Sequence, residues 1–159
     1  MTAALRLATP EPSLGESLLG LFDQELERNI LGAAMLAEPM PRWLEPRHFF
    51  STAHQRIYET VLEVGGNVAQ VNAWLRESAP KYGPILVKAT ELAEMCLEAE
   101  HARRMGWALD FDRLRELAKR RAFVELAARL TIRLRADGAE DMSHTEAIQA
   151  VREHLKEWK

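Results

Sequence analysis

The sequence predicts an all-α protein in which a small helical head precedes a long αα-hairpin. Apolar residues recur three and four positions apart through most of the chain, which is the periodicity of helices with one buried face. Glycine and proline divide the first hundred residues into short segments, whereas residues 113–135 contain neither. No pair of alternating segments suggests a sheet, so helices must supply the core.

This pattern predicts three regions. Residues 1–20 contain two prolines and two glycines, which favours a flexible arm. Residues 21–105 hold the short helices and form the head. Residues 106–159 contain two longer helices joined by a polar connection with one glycine, and we expect these helices to fold back on each other as the hairpin.

Caps and breakers mark the helices of the head. Asp23 can cap the first helix, because its side chain can accept a hydrogen bond from the free N–H groups of the first turn. Ser51 or Thr52 can start the second helix, and Gly65 with its following glycine ends it. Two further helices are predicted over residues 68–77 and 85–104.

The long helix carries two apolar stripes, although a helix on a single core needs only one. One stripe can take the last helix, whose apolar residues are spaced three, four and three. The residues predicted to pack the hairpin are Phe123, Leu126, Leu130, Ile148, Val151, Leu155 and Trp158. The second stripe is the predicted oligomer interface and comprises Leu114, Leu117, Val124, Ala128 and Thr131. The alternative is that the helix is central to one bundle and buried all round.

Basic residues dominate the rest of the long helix, although the chain has a net charge of −3. Such a local excess suits an acidic protein face, so Arg120 and Arg121 are candidates for binding a partner. The alternative is that these arginines pair within the hairpin with its acidic residues. Those acids are Glu140, Asp141, Glu146 and Glu153.

Signals for catalysis, cofactors and membranes are weak. The five histidines show no paired metal-ligand spacing, and no glycine-rich phosphate loop is present, so we expect no cofactor. Cys96 is the one cysteine, which fits a reducing compartment, and no apolar run reaches the length of a membrane span. The sequence therefore predicts a soluble, cytoplasmic protein without enzymatic activity.

Several short motifs occur in a particular order. A glutamate precedes an Ile-Leu-Gly-Ala step, a Leu-x-Pro leads to a Phe-Phe pair and a histidine, and a third motif lies in the long helix. The residues are Glu27, Ile30, Leu31, Gly32, Ala33, Leu44, Pro46, Phe49, Phe50, His54, Ile57, Tyr58, Leu114, Arg115, Glu116, Arg121, Phe123 and Val124. Together they resemble the N-terminal domain of DnaB-type replicative DNA helicases, over about residues 22–157.

The resemblance implies a function. In that family the domain is a helical head with a helical hairpin, the hairpins pair between subunits, and the resulting collar docks primase. We therefore expect a dimer or higher oligomer that recruits primase or a helicase loader and binds nucleic acid weakly or indirectly. His48 departs from the family, which usually has aspartate there. The chain also lacks a Walker motif, so the ATPase activity of the full helicase does not carry over.

Two other interpretations remain open at this point. The helicase-binding domain of a primase has a similar head-plus-hairpin shape. A metal-binding helical-bundle enzyme is the second alternative, because Glu94, Glu98 and His101 fall on one helix face.

Overall fold

The computed structural model describes residues 20–78, 87–106, 108–135 and 143–158, and its fold is all-α, as predicted. Most of the predicted arm therefore lies outside the described residues, as do Glu140 and Asp141. The described part of the chain contains no strand and no helix long and apolar enough to cross a membrane. Its helices are α1 (Gln24–Met35), α2 (Thr52–Val64), α3 (Val68–Glu77), α4 (Ala89–Arg104), α5 (Phe111–Arg135) and α6 (His144–Glu157).

The described residues form two compact units. The head unit is Phe22–Arg120, and the hairpin unit contains Leu21, the rest of α5 from Arg121, and α6. The single helix α5 thus contributes residues to both units. The domain limits expected from the sequence stay a prediction.

Helix α1 lies against α4 at a point where a glycine permits close approach. A Cβ atom built on Gly32 would lie 2.0 Å from the carbonyl oxygen of Met95, far inside van der Waals contact. Arg28, one turn earlier, donates two hydrogen bonds of 2.8 Å to the Glu98 carboxylate on α4. Backbone contact and a bidentate ion pair therefore fix the same two helices.

Several helix ends are fixed by capping residues close to them in the sequence. The Asp23 side chain accepts a hydrogen bond from the N–H of Leu26 at the start of α1. Gly65 ends α2 with a φ of 83°, which glycine adopts without strain. Ser143 caps α6, and its hydrogen bonds to Glu146 lower the pKa of that carboxyl. These caps depend on residues no more than four positions apart.

One helical turn at Pro46–His48 was not predicted. The Nδ1 atom of His48 accepts a 2.8 Å hydrogen bond from the Glu45 backbone N–H, so the imidazole closes the turn. Burial lowers the pKa of His48, in agreement with a neutral ring that accepts at Nδ1.

The two helices of the hairpin unit run antiparallel. The rings of Phe123 and His154 lie 6.2 Å apart, while Arg133, further along α5, acts electrostatically on Glu146 near the start of α6. Residues later in α5 therefore lie beside residues earlier in α6. The unit has the αα-hairpin arrangement that the sequence predicts.

Some of the residues predicted to pack the hairpin are covered in the structure, and others are exposed. Leu126 is buried, and Leu130, Val151 and Trp158 are half-buried. Ile148 and Leu155 instead keep 54% and 55% of their surface exposed. On α6 the more covered positions are Ala147, Ala150, Val151, His154 and Trp158. Ile148 and Leu155 therefore flank the seam, because each stands one position from its centre and a helix turns about 100° per residue.

Candidate interaction surfaces

A fully buried carboxylate holds the start of α2 against α1. One oxygen of Glu27 accepts a 2.6 Å hydrogen bond from the backbone N–H of Phe50, and the other lies 2.7 Å from Nδ1 of His54. Glu27 has no exposed surface, and His54 is buried. With both oxygens occupied and no solvent access, the pair is a structural bracket rather than a site for chemistry.

An exposed apolar surface lies on the hairpin unit. Phe123 on α5 is 50% exposed, and Ile148 and Leu155 on α6 are 54% and 55% exposed. The Phe123 ring lies 6.2 Å from the ring of His154, the residue that precedes Leu155 in α6. Helical periodicity places Ile148 and Leu155, seven residues apart, on one line. We call Phe123, Ile148 and Leu155 the hairpin apolar edge.

The predicted oligomer stripe on α5 has mixed exposure. Leu114 has no exposed surface and belongs to the core of the head unit, so it offers no contact area to a second chain. Leu117, Val124 and Ala128 are half-buried. Thr131 is exposed, and its hydroxyl donates to the carbonyl of Ala127. Burial of Leu114 could not be read from spacing, since α5 gives residues to two units.

The two arginines proposed to bind a partner differ sharply. Arg121 is 5% exposed and donates a 2.7 Å hydrogen bond to the carbonyl oxygen of Leu21, so it is a structural residue. The Arg120 side chain is 61% exposed and bonds Glu116 one turn earlier at 3.0 Å. Arg120 therefore remains a candidate for contact with a partner, whereas Arg121 does not.

Other basic residues of α5 also have partners within the head unit. Arg113 forms a 2.7 Å ion pair with Asp23, and the Arg115 guanidinium lies 5.1 Å from the centre of the Trp43 ring. The expected basic surface is thus largely engaged along the first half of the helix. Along this half the pairing acids are Asp23 and Glu116, whereas Arg133 acts on Glu146, one of the acids that the sequence suggested.

The residues considered for a metal-binding enzyme are engaged otherwise. Glu98 bonds Arg28, and the same guanidinium lies 3.9 Å from Glu94, so a cation already occupies the place where a metal would have to bind. Within the described ranges, no three His, Cys, Asp or Glu side chains are grouped to hold a metal ion. Burial raises the pKa of Cys96, which disfavours the reactive thiolate.

A groove of about 590 Å³ runs between α1 and α4 in the head unit. Glu25, Arg28 and Asn29 line it from α1, together with Gln24, and Glu98 and His101 line it from α4. The side chains of Glu94 and Glu98 are 61% and 44% exposed. Sequence reasoning did not find this groove, because its two walls are about 70 residues apart in the chain.

The buried bracket, Gly32 and the short turn all lie in the first part of the head. Residues 21–80 match the family model described as the DnaB-like helicase N-terminal domain. This part of the chain is therefore similar to the N-terminal domain of DnaB-type helicases, and we call residues 21–80 the DnaB-type segment. No curated protein and no solved structure matches the chain at a significant level.

The DnaB-type segment covers α1 to α3, a little more than a third of the chain. It includes Glu27, Gly32 and His54, so the resemblance noted at these positions is confirmed. In this chain their roles are physical: one carboxylate with two donors, and one glycine at a helix contact. The likeness of α5 to the DnaB family lies outside the matched residues.

Proposed function

We propose that this chain is a non-catalytic oligomerisation and protein-recruitment domain of a replicative DNA helicase. The DnaB-type segment supports the helicase association. The observation that carries the oligomerisation is the hairpin apolar edge, where three large apolar side chains leave about half of their surface in water. Exposed apolar surface concentrated on one small unit favours burial against another protein.

The proposed mechanism of self-association is isologous pairing of two hairpin units. In a two-fold dimer each apolar edge lies against the same edge of its partner, so a line of Ile148 and Leu155 can bury itself. The aromatic ring of Phe123 would supply the largest contact area. The half-buried stripe of Leu117, Val124 and Ala128 is the competing surface, as the sequence suggested.

Replacing both Ile148 and Leu155 with glutamate should convert the protein from dimer to monomer. Both side chains are already more than half exposed, so the monomer should keep its helicity, whereas the dimer would have to bury four carboxylates. Light scattering at micromolar concentrations measures the mass, and circular dichroism checks the fold.

The matched control is Leu62→Glu, because Leu62 is 61% exposed on α2 of the head and lies outside the edge. This variant should keep the wild-type mass. A monomeric wild type, or an unchanged mass in the double variant, would contradict the proposed pairing. If Val124→Glu dissociates the protein and the double change does not, the interface is the stripe on α5.

Recruitment of primase or a helicase loader is the second part of the proposal. Of the two arginines predicted to bind a partner, Arg120 is the one whose side chain is exposed. Arg120→Glu should slow association with an acidic partner about tenfold at low salt, because exposed charges act mainly on the association rate. The melting temperature should barely change, since the i,i+4 pair with Glu116 is worth only about 0.3–0.5 kcal/mol.

Kinetics with purified primase and with a loader, each at two salt concentrations, test this step. Arg76→Glu is the control, because Arg76 is an exposed cation on α3 and its reversal changes the net charge equally. Equal association rates for the two variants would show that recruitment uses another surface.

A further inference from the structure

The short turn at Pro46–His48 is connected to the start of α5 through the ring of a tryptophan. The Trp43 ring meets the imidazole of His48 edge to face, with ring centres 5.7 Å apart. The guanidinium of Arg115, on α5, lies 5.1 Å from the centre of the same Trp43 ring. Trp43 therefore links His48 to α5, and we call residues 43–48 the His48 turn.

The hydrogen bond that closes this turn requires a neutral imidazole. Nδ1 of His48 accepts the backbone N–H of Glu45 at 2.8 Å, so the proton of the neutral ring is on Nε2. An imidazolium carries a hydrogen on each ring nitrogen and accepts no hydrogen bond. Protonation would set two N–H groups against each other at a residue that is only 3% exposed, so the bond would have to break.

The surroundings of His48 disfavour its charged form. Burial is the largest cause that lowers the pKa of His48 below its usual value of about 6.5. Arg47, in the same turn, and Arg115, on α5, lower the pKa further, because each places a positive charge near the ring. The Glu45 carboxylate acts in the opposite direction but does not reverse the shift. The closed turn therefore holds His48 neutral.

The helices that pack beside the turn present neutral or paired groups. Phe49, the residue that follows the turn, accepts a hydrogen bond from Gln55 of α2, and its ring lies 5.1 Å from that of Tyr58. Burial raises the pKa of Tyr58, so this phenol stays neutral near neutral pH. The Glu27 carboxylate of α1 lies against His54. Histidine is the side chain that changes charge in this range, so protons act on the turn itself through His48.

We propose that the His48 turn is a pH-sensitive contact between the DnaB-type segment and α5, which opens when His48 takes up a proton. Opening breaks the bond to the Glu45 amide and separates Trp43 from Arg115, which leaves an aromatic ring and a cation free on the head. The proposal goes beyond oligomerisation and recruitment, and it uses neither the hairpin apolar edge nor Arg120.

The direction of the pKa shift fixes the sign of the pH dependence. Below about pH 6.5 the open turn binds one proton more than the closed turn. The ratio of open to closed turns therefore rises up to about tenfold for each pH unit, until the lower pKa of the closed turn is reached. Above about pH 6.5 neither form takes up a proton, and the ratio is constant.

Hydrogen exchange followed by NMR between about pH 5.5 and 7.5 tests the opening at the Glu45 amide. The rate is expressed as a protection factor, which removes the intrinsic pH dependence of exchange. Protection of Glu45 should be constant above about pH 6.5 and fall up to about tenfold per pH unit below it. The resonance of the Trp43 indole N–H should shift over the same range. The Leu26 amide, whose acceptor is the carboxylate of Asp23, is the internal control and should keep its protection.

His48→Gln is the matched variant. Glutamine at the third position of a capping box accepts the same backbone bond, and it has no proton to gain near neutral pH. Protection of Glu45 in this variant should not depend on pH. His54 is present in both proteins, so its titration cannot cause the difference. The proposal is overturned if protection of Glu45 in the wild type is independent of pH, or if the variant shows the same dependence.

The wild-type ring provides a second measurement, which decides the question even if His48→Gln does not fold. Nitrogen chemical shifts of His48 should show the Nε2–H tautomer at about pH 7.5, and the ring should titrate with a pKa below about 6.5. An Nδ1–H tautomer, or a pKa at or above that value, would show that the turn does not depend on a neutral acceptor and would reject the proposal.

Discussion

Replacing Glu27 with alanine should destabilise the head by about 3–5 kcal/mol, because two donors lose their acceptor and each lost buried bond costs about 1–3 kcal/mol. The change leaves the N–H of Phe50 and the Nδ1 of His54 without their acceptor in a place that water does not reach. It also opens a cavity, because Glu27 has no exposed surface. Urea unfolding followed by circular dichroism measures the loss in free energy of unfolding.

Two variants make this result specific. Glu25→Ala removes an exposed carboxylate from the same turn of α1 and should change the free energy of unfolding by less than about 0.5 kcal/mol. Glu27→Gln keeps an acceptor for one donor, so its loss in free energy of unfolding should lie between those of the two alanine variants. A loss for Glu27→Ala no greater than that for Glu25→Ala would mean that the bracket does not stabilise the head.

Gly32→Ala should also destabilise the head, although helices usually prefer alanine to glycine. In an exposed helix interior, alanine is more stable than glycine by about 1 kcal/mol. At Gly32 the new methyl carbon would lie 2.0 Å from the Met95 carbonyl oxygen, and that oxygen belongs to the backbone of a packed helix. The helices must therefore separate, at a cost of about 3 kcal/mol, the upper part of the range for overpacked cores.

A graded series separates overpacking from helix propensity. Gly32→Val should cost more than Gly32→Ala, because the larger side chain forces α1 further from α4. Gln70→Ala, which introduces alanine at an exposed position of α3 without a packed neighbour, should be neutral or slightly stabilising. If Gly32→Ala stabilises the protein, the close approach of the two helices is not as the structure has it.

Local rules predicted much of the fold. Asp23, Gly65 and the exact span of α3 follow from chemistry within a few residues, which the sequence displays directly. Burial in tertiary contacts does not follow in this way. Helical spacing placed Leu114 on an interface, and a local excess of basic residues placed Arg121 on a partner surface. In the structure Leu114 lies in the head core, and Arg121 bonds a carbonyl 100 residues away.

The same contrast between local patterns and tertiary contacts applies to the candidate surfaces. The apolar residues of α6 were recognised, but a helix turns about 100° per residue, so a small error in the seam exchanged core positions for exposed ones. The groove between α1 and α4 could not be predicted, since no pattern in the sequence states which helices become neighbours. The motif around Glu27 and His54 was visible only through its resemblance to a family. The geometry gives the reason for it: two buried donors share one carboxylate.

The contact of α1 with α4 has a consequence for synthesis on the ribosome. Helix α1 leaves the exit tunnel before α4, and its partner residues Met95 and Glu98 are translated about 70 residues later. Until then the apolar face of α1 lacks its principal cover, and an isolated helix of twelve residues is marginal in water. The closure of so long a loop carries an entropic cost that local contacts cannot offset, which slows folding. The nascent head therefore stays open to chaperones and to neighbouring chains until the end of α4 has emerged.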